Sequence, residues 1–338
     1  MNIVHLIGNG FDLRIGLKTK YIDFLEWYKK QESNSKVVED FKTGINKNIG
    51  TWSNLELKLG EYTNNFSRHN DFSILYDDLK ISLGNYLEIE QRKYTFSSAQ
   101  EDVLRHNLCF PEYFLPLRDK DIVEKYKNKF INEQHRINIV TFNYTNTIEL
   151  LLHNLIKSNS TRILQDCHYY YKRIIHIHGT FNDSMILGVN DISQINNSKF
   201  HSEDDLKDRL IKLQSNHVIG NLNDNESKKE IENADLICLY GLSLGETDKY
   251  WWGVIKESMI KNNKLKVIIF YKDETIIHNV EKAKKGAKRR EIVNRFLSLT
   301  ETDEKSEDAT IIRNNMLVEY DSNIFDISLN LVKEGNKN

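Results

Sequence analysis

Four places in this 338-residue chain carry residue types that a protein core does not require. Gly8-Asn9-Gly10-Phe11-Asp12 puts two glycines directly behind an apolar run, where a backbone can pass close to a phosphate. Asn143-Tyr144-Thr145 offers an amide and a phenol after a second apolar run. Asn146 is expected to cap the helix that follows, with Glu149 as its capping-box partner, which leaves Asn143 without a structural task. His178-Gly179 joins an imidazole to a residue that lets a ligand approach. Gly241-Leu242-Ser243, with Asp248 a few residues on, adds a turn, a hydroxyl and a carboxylate. A phosphate-binding turn surrounded by positioned polar groups and one acid–base imidazole is equipment for binding a nucleotide and moving a proton.

Each motif also has a structural explanation. Gly8 and Gly10 fit a plain tight turn. A dinucleotide fingerprint would need a third glycine where Leu13 stands, so the standard nicotinamide-dehydrogenase reading fails. His176 and His178 share one strand face, but no carboxylate or cysteine spacing beside them supports a metal, and none is expected. Ser243 and Asp248 flank a helix start and fit caps. Glu56 lies three residues after Ser53, so a capping box and a place in the site explain it equally. Trp251 and Trp252 read as core.

These motifs need elements to hold them. "NIVHLI" (2–7), "INIVTF" (137–142), "RIIHIH" (173–178), "DLICLY" (235–240) and "LKVIIFY" (265–271) are near-continuous apolar runs, with "MILGV" (185–189) a further short candidate. Helical patterns lie between them, the sign of a parallel sheet covered on both faces. Ligands of such a sheet bind outside the carboxyl ends of its strands, and all four motifs follow strand ends. From 33 to 135 the periodicity is helical, with Trp52, Leu55, Leu59, Leu75 and Leu79 on apolar stripes. The expected fold is α/β: a Rossmann-like parallel sheet with helices on both faces and an all-helical insertion. Residues 1–32 and 136–338 would form the nucleotide-binding domain, and 33–135 a helical subdomain over the mouth of the crevice.

Composition narrows the function. Basic residues number 47 against 49 acidic, so no global field favours nucleic acid or an anionic membrane. The basic run "KAKKGAKRR" and the acidic run "ETDEKSED" read as solvated charge of opposite sign. Cys109, Cys167 and Cys238 form no CxxC pair, which points to a reducing cytoplasm and away from a disulfide framework or structural zinc. No apolar stretch is long enough to span a bilayer.

The segments "LIGNGFDLRIGLKTKYIDFL", "WSNLE", "TFNYTNTIE", "HIHG", "ILGVND" and "YGLSLGETDKYWW" resemble the AbiH-like bacteriophage abortive-infection proteins over most of the chain. More distantly, the order of motifs is similar to sirtuin-like NAD-binding domains. The counterparts here are Gly8 to Gly10, Gly16-Leu17-Lys18, Asn143, His178-Gly179 and Gly241-Leu242-Ser243. The resemblance implies a cytoplasmic anti-phage effector that hydrolyses NAD to nicotinamide and ADP-ribose and requires no cofactor. It implies Asn143 at the ribose or the attacking water and His178 at the ribose hydroxyls or as a base. Gly8, Asn9, Gly10, Phe11, Asp12, Tyr144, Gly179, Gly241, Ser243 and Asp248 would bind the nucleotide. The departures are Lys18 in place of a proline, Asp12 in place of a small residue, and the absence of the four-cysteine zinc module, which argues against deacetylation. Expected partners are NAD or a related nucleotide, a phage-derived or operon-encoded trigger, and a second copy of the chain. A nucleotide sensor without catalysis and a metal-dependent nuclease built on His176 and His178 are the competing readings.

Overall fold

The apolar runs assemble into one sheet in a computed structural model that describes residues 1–46, 49–158, 162–163, 168–272, 282–320, 322–327 and 330–331. The strands are β1 (Asn2–Ile7), β2 (His135–Thr141), β3 (Tyr169–His176), β4 (Leu236–Tyr240), β5 (Lys266–Tyr271) and β6 (Met316–Tyr320). Their spatial order is β3-β2-β1-β4-β5-β6, and every neighbouring pair is parallel. This is the doubly wound order, in which the chain reverses direction across the sheet at β1 and β4.

Burial on both faces explains why the strands look uniformly apolar. In β4, Leu236, Cys238 and Tyr240 face one core, and Ile237 and Leu239 face the other. In β1 the split is Ile3 and Ile7 against Val4 and Leu6. His5 interrupts the run. It is buried, its Nε2 lies 2.9 Å from the Leu108 carbonyl oxygen, and burial lowers its pKa to about 4. The imidazole therefore ties the helix Ser98–Cys109 to the sheet in its neutral form. Trp251 and Trp252 are buried in the second core, as their sequence context suggests.

Among the described residues of 33–135 the regular elements are helices, apart from Tyr94–Thr95, which pairs antiparallel with Asn330–Leu331, and His135, which opens β2. The segment's buried side chains divide between two cores. Trp52, Leu55, Leu59, Leu75 and Leu79 share a third core with Phe24, Tyr28 and a strap that includes Met185, Leu187, Val189 and Leu210. Leu104, Leu108, Val123 and Tyr126 pack instead against the sheet.

Several elements differ from the sequence-based reading. β3 starts earlier and stops at His176, so His178 lies in the turn beyond it. Among the described residues, 185–189 join no sheet. Val189 makes one isolated bridge to Ile211, and the Ile186 amide donates to the His178 carbonyl at 2.8 Å. That run is apolar because it is enclosed by the insertion, not because it is a strand. Helices Asp204–Leu210, Lys212–Ile219 and Asn223–Glu232 occupy what reads as a polar, Asn-rich stretch, and β6 is an additional strand.

Candidate functional site

The loops after β1 and β4 meet at the switch point. The Gly8 amide donates to the Tyr240 carbonyl at 2.8 Å, and the Gly10 amide to the Gly241 carbonyl at 2.9 Å. A Cβ on Gly10 would stand 2.4 Å from the Gly241 Cα, and Gly241 itself has φ +68°. Here, then, the glycines have a structural reason: two backbones touch where no side chain fits. Their outer side borders a cleft of about 630 Å³, a normal size for a small-molecule site.

The cleft runs along the carboxyl ends of β1, β4 and β5. Gly8, Asn9, Gly10, Tyr144, His178, Gly241, Ser243 and Asp248, all candidates from sequence, line it. Phe11, Asp12, Asn143 and Gly179 are not among its lining residues. Phe11 is fully buried, edge-on to Tyr240 and Phe325. Asp12 turns inward, where Thr145 and Thr147 each donate a hydroxyl to its carboxylate at 2.6 Å. Burial raises its pKa to about 6 despite those bonds. Asn143 is 4 % exposed; its amide is close enough to Asp12 to favour the charge, but neither amide atom makes a hydrogen bond of good geometry among the described residues. Gly179 has φ +67°, and a Cβ there would meet the Ser184 carbonyl oxygen at 2.3 Å, so the glycine admits its own chain.

The polar floor of the cleft comes from segments far apart in the chain. Lys212 Nζ donates to Glu56 Oε2 and Asp248 Oδ1, both at 2.8 Å. His178 Nε2 lies 3.0 Å from the same Asp248 oxygen. The hydroxyls of Tyr144 and Tyr21 lie 2.9 and 3.2 Å from Glu56 Oε1. Burial opposes the charge on Lys212, but Asp248 and Glu56 outweigh it and raise the pKa. Burial likewise opposes the charge on Asp248; Lys212 and the bond to His178 prevail and hold the carboxyl well below the usual range. Burial, then the Lys212 charge, pushes His178 down, so it is a neutral imidazole whose Nε2–H donates to Asp248. Asp248 is the most open member of the His178–Asp248–Lys212 group, its side chain 18 % exposed against 3 % and 5 % for the other two. Arg14, Lys20 and Lys272 line other parts of the cleft, Arg14 pairing with Asp326 at 3.2 Å.

Capping explains none of the three carboxylates that sequence left open to it. Asn54, not Ser53, caps the helix Leu55–Tyr62, by accepting from the Leu57 amide at 3.2 Å, and Glu56 is released to the cluster. Asp248 occupies the N-cap position of the helix Lys249–Lys261, but its carboxylate makes no cap bond there among the described residues. Asn146 likewise makes no side-chain cap bond, and Glu149 instead meets His176 Nε2 at 2.6 Å. Burial disfavours protonation of His176, and Glu149 more than reverses it. His176 and His178 thus engage separate carboxylates, and no cluster of three or more His, Cys, Asp or Glu side chains is arranged to hold a metal among the described residues.

Sequence reasoning left Glu56 ambiguous and missed Lys212 and Tyr21. Lys212 gives no signal, because "KLQSNHVI" falls in what reads as a polar, Asn-rich stretch, and the helix there is seen only in the structure. Glu56 had one, a carboxylate within "WSNLE" in a helix that returns to the crevice.

Among the described residues no helix is long and apolar enough to cross a membrane. No curated protein matches the sequence. A family model described as "Bacteriophage abortive infection AbiH" matches residues 4–271, a span that runs from within β1 to the end of β5 and holds the insertion and the whole Glu56–Lys212–Asp248–His178 cluster. The chain belongs to the bacteriophage abortive infection AbiH family.

Proposed function

We propose that the protein acts in abortive infection by hydrolysing the nicotinamide–ribose bond of NAD in the cleft between β1 and β4. One observation carries this reading: two carboxylates, Glu56 and Asp248, share one buried ammonium on the floor of a switch-point cleft. Cleaving an N-glycosidic bond develops positive charge on the ribose, and a fixed carboxylate stabilises it. Asp248 is the group a ribose reaches most readily. Lys212 keeps it ionised and His178 orients it, so His178 acts through Asp248. Arg14, Lys20 and Lys272 supply positive charge for a pyrophosphate. Asn143 contributes at the ribose only if its amide turns out from beside Asp12 when the ligand binds. The remote sirtuin-like order of motifs supports NAD as the nucleotide.

The sensor reading has one observation in its favour: Lys212 already neutralises much of the carboxylate charge. Incubating the pure protein with NAD and measuring free nicotinamide separates the two. Hydrolysis predicts release that Asp248→Asn abolishes. Thermal stabilisation by NAD that stays intact would replace the enzyme with the sensor.

A further inference from the structure

Behind the cleft floor lies a second, much smaller space. The centre of a water molecule has about 10 Å³ to move in there, close to the least that holds one water. His178, Lys212, Thr247 and Asp248 line both this chamber and the cleft. Asn216 and Trp251 line the chamber but not the cleft.

Two of the lining residues bring an unsatisfied polar atom. His178 Nδ1 and Asn216 Oδ1 are both buried, and neither has a hydrogen-bond partner among the described protein atoms. Their chemistry is settled by their other bonds. His178 is neutral and gives its Nε2 proton to ionised Asp248, so Nδ1 carries a lone pair. Asn216 is 1 % exposed, and its Nδ2 donates to the Ile177 carbonyl at 3.2 Å, which fixes Oδ1 as the acceptor end. Two acceptors cannot satisfy each other. Both need a donor, and leaving either buried and unpaired costs roughly 1–3 kcal/mol.

We infer that the chamber holds a single structural water, which donates one hydrogen to His178 Nδ1 and the other to Asn216 Oδ1, and that Asn216 is a positioning residue for the His178–Asp248 pair. The water's own acceptor side can take a bond from Lys212, whose ammonium has three N–H groups and gives two to Glu56 and Asp248. That gives the water three bonds, the usual number for a buried one.

The helix Lys212–Ile219 then grips the pair from both ends. Residues 212 and 216 are one turn apart on one face. Lys212 reaches Asp248 directly, and Asn216 reaches His178 through the water. The imidazole is held at both nitrogens, which fixes its ring orientation as well as its tautomer. This arrangement stands whatever nucleotide the cleft takes and whether or not it is turned over.

A crystal structure of the wild-type protein that resolves ordered waters tests the site directly. The expected result is one water within hydrogen-bonding distance of both His178 Nδ1 and Asn216 Oδ1. A chamber without water, or a ring turned so that Nδ1 faces Asp248, overturns the inference. Nitrogen NMR of labelled His178 tests the positioning role. Asn216→Val removes the second acceptor while keeping the volume similar, and the Nδ1 resonance should move toward that of an unbonded ring nitrogen. An identical Nδ1 resonance in wild type and Asn216→Val overturns the role of Asn216. Should the variant fail to fold, the wild-type crystal structure and the wild-type Nδ1 resonance decide between a bonded and an unbonded nitrogen.

Discussion

Lys127 and Lys212 are both buried ammonium groups bonded to carboxylates, and they sit at opposite ends of the sheet. Lys127 lies at the amino ends of β2 and β3, beside His135 and Tyr169. It meets Glu112 Oε1 at 2.6 Å and the Cys109 carbonyl at 2.9 Å, with the rings of Phe110 and Tyr169 each 5.2 Å away. Its carboxylate is 15 residues distant in sequence, and that of Lys212 in Glu56 is 156. The first pair staples neighbouring helices of the insertion. The second gathers the insertion, the segment before β4 and the loop after it around a cleft. A buried ion pair is by itself weak evidence of function, because local packing can require one. What distinguishes Lys212 is that one cation serves two carboxylates from different elements, where a ligand can reach them.

The comparison breaks most cleanly in the two lysines. Lys127→Met and Lys212→Met each leave a buried carboxylate without its cation, and each should lower stability by about 3–5 kcal/mol. Activity should separate them. Lys212→Met should also cut nicotinamide release by a factor of roughly 10² or more, the size expected when a preorganised charge is lost. Lys127→Met should leave release per folded molecule near wild type. Equal losses of release in both variants, with the folded fraction measured by circular dichroism, would make Lys212 another staple.

The next test concerns the loops that meet under the cleft. Gly10→Ala places a methyl group 2.4 Å from the Gly241 Cα, so both loops must shift. Overpacking of this kind costs about 1–3 kcal/mol. The melting temperature should fall with the protein alone, before any nucleotide is added. A Gly10→Ala protein as stable as wild type, but deaf to NAD in a thermal-shift assay, would return the glycines to ligand binding alone.

What the sequence disclosed follows from which signals are local. A strand covered on both faces reads as an apolar run and ends on turn residues, so β1 to β5 and the four crowded motifs were visible. β6 was not: "MLVEY" carries Glu319, a charge that breaks the apolar run and is held by Arg289 at 2.6 Å. Phe11 and Asp12 stand directly behind the glycines, and the resemblance implied that both bind the nucleotide. A helix begins at Gly10, and each residue along it turns away by about 100°. That rotation carries Phe11 into the core and Asp12 under Thr145. Lys212 was invisible because nothing in a short polar helix marks which lysine loses its water. Desolvation depends on elements far away in the chain.

Asp12 gives a test of the opposite kind, a buried carboxylate with hydroxyl partners in place of a cation. Its pKa rises from 3.8 to about 6 in the folded protein. The native state therefore holds a proton that the unfolded chain has released, and stability falls as pH rises from 3.8 to about 6. His5 acts in the other direction, since its pKa drops from 6.5 to about 4 and folding loses stability as pH falls through that window. The difference between Asp12→Asn and wild type removes the His5 contribution. The variant should be more stable at pH 7, on the order of 1–3 kcal/mol. Its advantage should vanish below pH 3.8, where Asp12 is protonated in both states. A constant difference across that range, by urea denaturation, would show that Asp12 folds with an ordinary pKa.

The smallest effect lies three residues from Lys212. Arg209 also ties the helix that precedes Lys212 to the insertion, with Nη1 2.8 Å from both carboxylate oxygens of Asp77. The chemistry matches that of Lys212 and Glu56, but about half of each Arg209 and Asp77 side chain is in water (48 % and 51 % exposed). Water screens the attraction, and ordering two long side chains offsets much of what remains, so exposed pairs contribute about 0–1 kcal/mol. Asp77→Asn should therefore lower the unfolding free energy measured in urea by less than about 1 kcal/mol and leave nicotinamide release unchanged. The shift should shrink further in roughly 1 M salt, where the screening length falls to about 3 Å. A loss in Asp77→Asn as large as that in Lys212→Met, or one insensitive to salt, would mean that the bond between insertion and strap matters more than the desolvated cluster beneath it.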